Sequence, residues 1–318
     1  MSELALFLQL SVQLGTPFLF GTLGGILCEK VGNMNLGIEG MMMMGAFFGF
    51  MTGFNTTNPV VAVLVAMLGG ALGALIYAVI TVTLKGNQTV TGFALTIFGT
   101  GLANFLGKPY SSQIMSSNVT TVLGTHAIPG LEKIPVLGTA VFSQSLFVYF
   151  SIILAVGLLF YYKKSRFGLA ARMVGESPAT ADASGINVDL YKYVHILLGG
   201  AVCGLGGAYL SLVYVPYWQD NITAGIGWIA VALVIFSGWN PVKAVFGCYL
   251  FGILKALAVK FQGVTISLLG MDIAVATQVM DMIPYILTVV VLVVSAATSK
   301  SSSVGPASIG KSYFREDR

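Results

Sequence analysis

The sequence predicts an all-α fold: a polytopic membrane helix bundle of about nine transmembrane segments, eight to ten depending on how short or broken pieces are counted. Three observations carry this. Of 318 residues, 56% are hydrophobic and only 9% charged, and a mean hydropathy of +0.87 excludes an ordinary soluble domain. Apolar runs near the roughly 20 residues needed to cross a bilayer recur along the chain. Lysine and arginine cluster in alternate connections, as basic loops retained on the inner side do.

In order, the runs cover 6–28, 37–54, 59–84, 90–107, 144–162, 191–213, 225–239, 244–259 and 282–298. The first lacks a basic flank and a small-residue cleavage site, so it reads as a retained span rather than a signal peptide. Runs 37–54 and 225–239 are short enough to be broken or partial spans. With nine crossings and an outer N-terminus, twelve lysines and arginines fall inside; Lys108, Lys133 and Lys260 fall outside, and Lys255 lies within a span. Inner loops therefore account for the net charge of +4 without any nucleic-acid partner. The connections 110–143 and 260–281 are external and apolar enough for short surface helices. The chain divides into a transmembrane domain, 1–298, with a cytoplasmic loop at 163–190, and a Ser-rich tail, 299–318, expected to be disordered.

Small residues four apart mark close helix contacts: Gly21 and Gly25, Gly45 and Gly49, Gly69 and Gly73, Gly200 and Gly204. The total of 39 glycines implies tight packing and several helix breaks, which suits a transport path better than an anchor. Cys28, Cys203 and Cys248 lie in apolar segments without metal-type spacing and read as small core residues. His126 and His195 are isolated, and no metal or nucleophile set can be assembled around them.

The polar island 163–188 is too charged for a bilayer and too patterned for a slack loop. Gly168, Gly175, Pro178 and Gly185 punctuate short helical pieces at 169–174 and 179–183. Ser177 is placed as N-cap and Pro178 as first helical residue of the second piece, which makes it a rigid body that a partner can grip. The second informative stretch is 28–45, CEKVGNMNLGIEGMMMMG. Asn33 and Asn35 punctuate a turn, and Glu39 sits inside the next apolar block. A carboxylate near mid-membrane costs about 2.5–3.5 kcal/mol, so it must face protein or water. Glu39 is open to three roles: holding Lys30, capping backbone groups at a helix break, or stabilising a helix N-terminus at the interface.

Polar residues within or beside spans are path candidates: Asn104, Tyr214, Trp218, Trp239, Asn240, Lys255, Gln278 and Asp281, with Tyr217 beside them. Aromatic faces for stacking and amides for hydroxyls are what a sugar or nucleoside requires, although aromatics also form interfacial belts and a lysine can snorkel. The stretch 305–312, GPASIGKS, satisfies the phosphate-loop pattern. That mechanism needs a preceding strand and a following helix. A span ends near Thr298 and only six residues follow Ser312, so nucleotide chemistry is expected on another polypeptide.

On these residues the chain resembles permease subunits of bacterial ATP-binding cassette (ABC) importers for simple sugars and nucleosides. The stretch 28–45 is similar to their G-V-x-N-x-G-x-E-G-M-M signature. The stretch 165–188 is similar to their S-R-F-G-L, R-x-V-G-E-x-P-x-x-A and A-x-G-I-N-V loop, and 199–208 and 237–241 (SGWNP) follow their habit. The resemblance covers nearly all of 15–297. It departs in the four consecutive methionines and the Ser-rich tail, and its nearest branch is the nucleoside permeases served by a lipoprotein. It implies that Gly175, Glu176, Ser177, Pro178, Ala181 and Gly185 shape a coupling helix docking on the ATPase subunit. It also implies an inner-membrane location, a second permease subunit, identical or paralogous, and an external substrate-binding lipoprotein. No cofactor is expected on this chain, since ATP-Mg would sit on the partner ATPase. Two rivals remain: an ion-coupled secondary transporter, which needs buried carboxylates and inverted repeats, and an intramembrane enzyme, which needs a paired acid and base or a metal set.

Overall fold

The computed structural model describes residues 3–131, 134–262, 265–268, 271–274 and 305–315, with scattered helical positions between 282 and 293. Helix α1 spans Glu3–Glu29, α2 Ile38–Thr56, α3 Pro59–Ala78, α4 Gln88–Gly107, α5 Ser117–Leu123, α6 Leu137–Ala140 and α7 Leu146–Lys164. There follow α8 Arg166–Glu176, α9 Pro178–Ala183, α10 Val188–Tyr209, α11 Ile226–Phe236 and α12 Pro241–Lys260. Both α3 and α10 continue into one wide π turn, Val79–Thr83 and Leu210–Tyr214. Six of these helices, α1, α3, α4, α7, α10 and α12, are long and apolar enough to cross a membrane. With α2, α11 and the helical positions between 282 and 293, they match the nine runs in the sequence.

The two ends of the bundle separate cleanly. One end carries the 30–34 turn, the 85–88 turn, α8, α9, Trp239 and residues 305–315, which bond to one another. The other carries Glu3, ion-paired with Lys260 at 3.6 Å, and the 108–145 connection, bridged to Tyr217 and Trp218. The first end holds the basic residues and is the inner one.

Local chemistry starts the helices. Asn58 before Pro59 and Asn240 before Pro241 are the same device at opposite ends. Each side-chain oxygen accepts from two amides of its first turn, Val60 and Val61 in one case and Val242 and Lys243 in the other, at 3.0 and 3.3 Å. Asn240, a path candidate in the sequence, thus caps α12. Asn87 and Asn187 cap α4 and α10 in the same way, each at 3.0 Å.

Helix α10 lies at the centre, with every residue from Gly199 to Tyr209 buried. It packs on α2 and α3 through Gly45, Gly200 and Gly204, which the sequence singles out, and on α1 through Gly24 and Gly199, which it does not, while Gly21, Gly25, Gly69 and Gly73 face α2 or α11. A Cβ on Gly45 would meet the backbone of Gly204, and one on Gly204 would meet Ala66 and Gly70 of α3. Backbone contact of this kind is how helices bind in lipid, where apolar surface has no drive to leave the solvent. Replacing Gly204 by valine is expected to cost at least about 1–3 kcal/mol of overpacking. The check is the recovery of monodisperse protein from detergent, which should fall sharply.

The structure differs from the sequence reading in three places. In the outer 110–143 connection, α5 and α6 form as expected, and strand β1, Thr125–Ala127, also pairs with β2, Ser143–Ser145. In 260–281, β3, Thr265–Leu268, and β4, Met271–Ala274, pair antiparallel where a surface helix was expected. In the tail, 305–315 is not disordered: Pro306 and Ser308 are buried against the inner end. Its backbone donors find carbonyls there, which offsets the entropy that composition alone leaves uncompensated.

Candidate functional site

Glu39 stands where two helices begin. Helix α2 starts halfway along α4, not at a membrane face: Gly40 packs on Leu95 and Thr96, and Gly99 packs back on Gly40. Helix α11 has 11 residues, about 16 Å, half a bilayer. It runs down α1 from Ala230 beside Gly21 to Val234 beside Gly25. Its first turn meets Glu39, which is only 7% exposed. One carboxylate oxygen accepts from the Thr223 hydroxyl at 2.5 Å and the Gly225 N–H at 2.9 Å; the other accepts from the Gly227 N–H at 2.6 Å. A carboxylate against free N–H groups at a helix start satisfies both the orphan donors and the dipole. Gly225, at φ +83°, makes the turn that aims these donors.

Of the three roles open to Glu39, the geometry is the capping of a helix break, with α11 as the capped helix. Lys30 lies instead beside Arg172 and Glu176. Burial, and then the Arg172 charge, hold its ammonium below the usual lysine range, against the opposing pull of Glu176.

Asn33 and Asn35 line the chain as it climbs from the inner end to α2. Asn35 accepts from the Gly37 N–H at 2.9 Å and donates to the Cys28 sulfur at 3.3 Å; Asn33 donates to the Thr81 hydroxyl at 3.4 Å. Gln88 accepts from the Met34 N–H at 2.7 Å, and the Tyr77 hydroxyl donates to the Met34 carbonyl. These partners stabilise a non-helical segment inside the bundle, although the buried side-chain oxygen of Asn33 has none.

At the inner end, the Trp239 indole N–H donates to Glu29 at 2.6 Å, with Glu29 2% exposed. This ties the last residue of α1 to the exit of α11. Among the other path candidates, Trp218 is fully buried at the outer end, edge-on to Phe47 with ring centroids 5.6 Å apart and tilted against Phe50 at 5.8 Å. It is closed to any solute in this conformation. Tyr214 is half-buried beside an outer cavity lined also by Gln13, Thr120, His126 and Tyr209. Asn104 donates to the Asn221 side chain at 2.9 Å and accepts from its N–H at 3.1 Å. Tyr217 is exposed, Lys255 half-buried. Gln278 and Asp281 lie outside the described residues.

The polar island folds as two helices meeting at Ser177. Ser165 caps α8 by accepting from the Gly168 N–H at 3.1 Å, a start at Arg166 that the punctuation at Gly168 concealed. Ser177 closes α8 and opens α9, its hydroxyl accepting from the Thr180 N–H at 3.3 Å. Pro178 is the first residue of α9, as its fixed φ suits. Gly175 passes so close to the Lys30 carbonyl that no side chain fits, and Gly185, at φ +81°, turns the chain into α10. Ala181 is buried, whereas Ala179, Thr180, Ala183 and Ser184 form a small-residue outer face.

Sequence reasoning missed Thr223, Gly225 and Gly227 as partners of Glu39. The one signal was T-A-G-I-G before an apolar run, a helix start without a side-chain cap. The phosphate-loop pattern at 305–312 forms a turn at 307–310 followed by residues without regular structure, not a turn opening a helix. Among the described residues, no group of His, Cys, Asp and Glu is placed to hold a metal.

Comparison with known proteins identifies this architecture. A family model described as "Branched-chain amino acid transport system / permease component" matches residues 8–292. TsgC13 of Haloferax volcanii, a glucose ABC transporter permease protein by name, is 34% identical over 99% of both chains. The nucleoside ABC transporter permease protein NupC of Lactococcus lactis is 34% identical over 94% of both. The solved structure of an inward-facing ABC transporter shares the fold, with TM-score 0.51 at 12% identity over 89% of this chain and 85% of that one. Nothing among these relatives supports the ion-coupled reading. A match over nearly the whole membrane domain, with close relatives along the full length, places the chain in the branched-chain amino acid transport system / permease component family, as a multi-pass membrane protein.

Proposed function

We propose that this chain forms half of the translocation pore of an ABC importer for a neutral solute built on a sugar ring, a nucleoside or a simple sugar. A second permease subunit, identical or paralogous, completes the pore. An external lipoprotein delivers the solute. ATP-Mg is bound and hydrolysed by a partner ATPase docked on α9, and this chain makes and breaks no covalent bond.

The observation that carries the reading is α9 itself: a capped, proline-started helix between a tight glycine and a left-handed one, presenting a face of small side chains at the inner end. Such a face fits a groove without side-chain rearrangement, and short hinges pass its displacement to α8 and α10. Relatives named for glucose and for nucleosides support the solute class, since both ligands present a hydroxyl-bearing sugar ring, six-membered in one and five-membered in the other. In the resulting alternating-access cycle, movement of α9 changes the inner end, where Trp239 joins Glu29, while the junction at Glu39 holds the mid-depth helix starts together.

Purification on a tagged copy, followed by uptake of labelled uridine and glucose into proteoliposomes, tests this. The ATPase and second permease should co-purify, and uptake should stop on ATP depletion and persist with an ionophore. Uptake by this chain alone, without companions, would refute it.

A further inference from the structure

The segment 305–315 is seated at successive points across the inner end. Gly305 lies against the six-membered ring of Trp239, where an added Cβ would come within 2.6 Å of a ring carbon. Ala307 donates its N–H to the Glu176 carboxylate at 3.3 Å. Ser308 donates both its N–H, at 3.1 Å, and its hydroxyl, at 2.5 Å, to the Gly175 carbonyl. The Gly310 N–H reaches the Gly32 carbonyl at 3.3 Å, the Gln88 amide donates to the Lys311 carbonyl at 3.3 Å, and the Ser312 hydroxyl to the Lys85 carbonyl at 3.1 Å. At the far end, the Tyr313 hydroxyl at 3.0 Å and the Arg315 guanidinium at 3.3 Å converge on one carboxylate oxygen of Asp182, in α9.

These anchors join parts that no single helix joins. Asp182 belongs to α9, Gly175 and Glu176 to the end of α8, Gly32 and Lys85 to two separate inner turns, and Trp239 to the exit of α11. The segment takes the edge of α9 that bears Asp182 and leaves Ala179, Thr180 and Ala183 exposed. It therefore links α9 to the bundle without occupying its outer face.

We propose that residues 305–315 are a coupling strap, with Tyr313 and Arg315 as positioning residues. Displacement of α9 is carried through Asp182 along the strap to the 30–34 turn and the Trp239–Glu29 pair. This route runs in parallel with the direct one through α8 and α10. The inference rests on the reading of α9 as the docking helix. Hydrogen bonds to a charged group are the stronger class, so Asp182 is the point at which the strap holds α9 most firmly.

The test measures ATP hydrolysed per solute imported by the complete reconstituted complex. The variants are a chain ending at residue 304, Asp182→Ala, Tyr313→Phe and the double substitution. Truncation is expected to raise the ratio several-fold while the ATPase still co-purifies. Tyr313→Phe should raise it about fivefold, the loss of one hydrogen bond, Asp182→Ala, which removes the acceptor of both Tyr313 and Arg315, at least as much, and the double variant no further than Asp182→Ala alone. An unchanged ratio in the point variants, or additive effects in the double, overturns the strap. Should the truncated chain fail to assemble, the point variants decide alone, because a role confined to folding would lower complex yield without altering the ratio. Pro178→Gly separates the two readings. Lost uptake there with unaltered ratios in the strap variants removes the strap only, whereas uptake at the parental rate in Pro178→Gly removes the docking helix.

Discussion

Replacing Glu39 by alanine abolishes uptake and lowers the stability of the detergent-solubilised protein; both are expected from what the carboxylate holds. Its removal leaves the Thr223 hydroxyl and the Gly225 and Gly227 N–H groups without their acceptor, in a site where Glu39 itself is only 7% exposed. Each hydrogen bond to a charged acceptor is worth about 1.5–3 kcal/mol, and loss of a buried charged partner commonly costs about 3–5 kcal/mol. Half-helix α11 has no other side-chain cap, so its start is released from α2. Glu39→Gln keeps one accepting oxygen but turns an NH2 group toward a backbone donor. An intermediate loss is therefore expected, and Glu39→Asp, one methylene short, should resemble alanine. The measurements are initial uptake rates in proteoliposomes and the temperature of loss of the monodisperse peak. Uptake by Glu39→Ala within about twofold of the parent would show that the junction is packing without consequence for transport.

The second large effect is expected in α9. Ser177→Ala removes the hydroxyl that accepts from Thr180, at about 1 kcal/mol. Pro178→Gly trades a fixed φ for the most flexible backbone, at up to about another 1 kcal/mol. Together these reduce the population of formed α9 roughly thirtyfold at a combined cost of about 2 kcal/mol. Neither residue lies in a span, so membrane insertion and yield should not change. ATP hydrolysis by the assembled complex should continue while uptake falls at least tenfold, a split that a general folding defect does not produce. Glu176→Ala should act in the same direction more weakly, since its carboxylate faces Lys30 and the Ala307 N–H. Uptake and hydrolysis falling in equal proportion would place the defect in assembly instead.

What the sequence made legible follows from the range of the interactions concerned. Span limits, the Asn58 and Asn240 caps and the Ser177–Pro178 start depend on residues within one helical turn, so pattern and composition reach them. The short run 225–239 was recognisable as a partial span because length alone decides that. The partners of Glu39 were not recognisable, because 184 residues separate it from Thr223 and two of its three donors are backbone N–H groups without a side-chain signature. Trp218 read as a stacking surface because its type suits one. Only the fold reveals that it is fully buried, with Phe47 and Phe50 packed against it. The tail misled for a similar reason: a Ser-rich, Gly-containing stretch reads as disorder unless the carbonyls of Gly32, Lys85 and Gly175 are known to await it.

The glycine seams have a mechanical corollary. Where Gly45, Gly70 and Gly204 let main chains touch, no rotamer exists that could flip to absorb sliding, so α2, α3 and α10 form a stiff keel. Moving parts must therefore be those that meet the keel through side chains or a single ionic latch. Helix α11 touches the keel at its start, where Gly227 lies against the main chain of Glu39, and beyond that point meets α1 through the side chains of Ala230 and Val234, so its start is the pivot and its far end the part with room to repack.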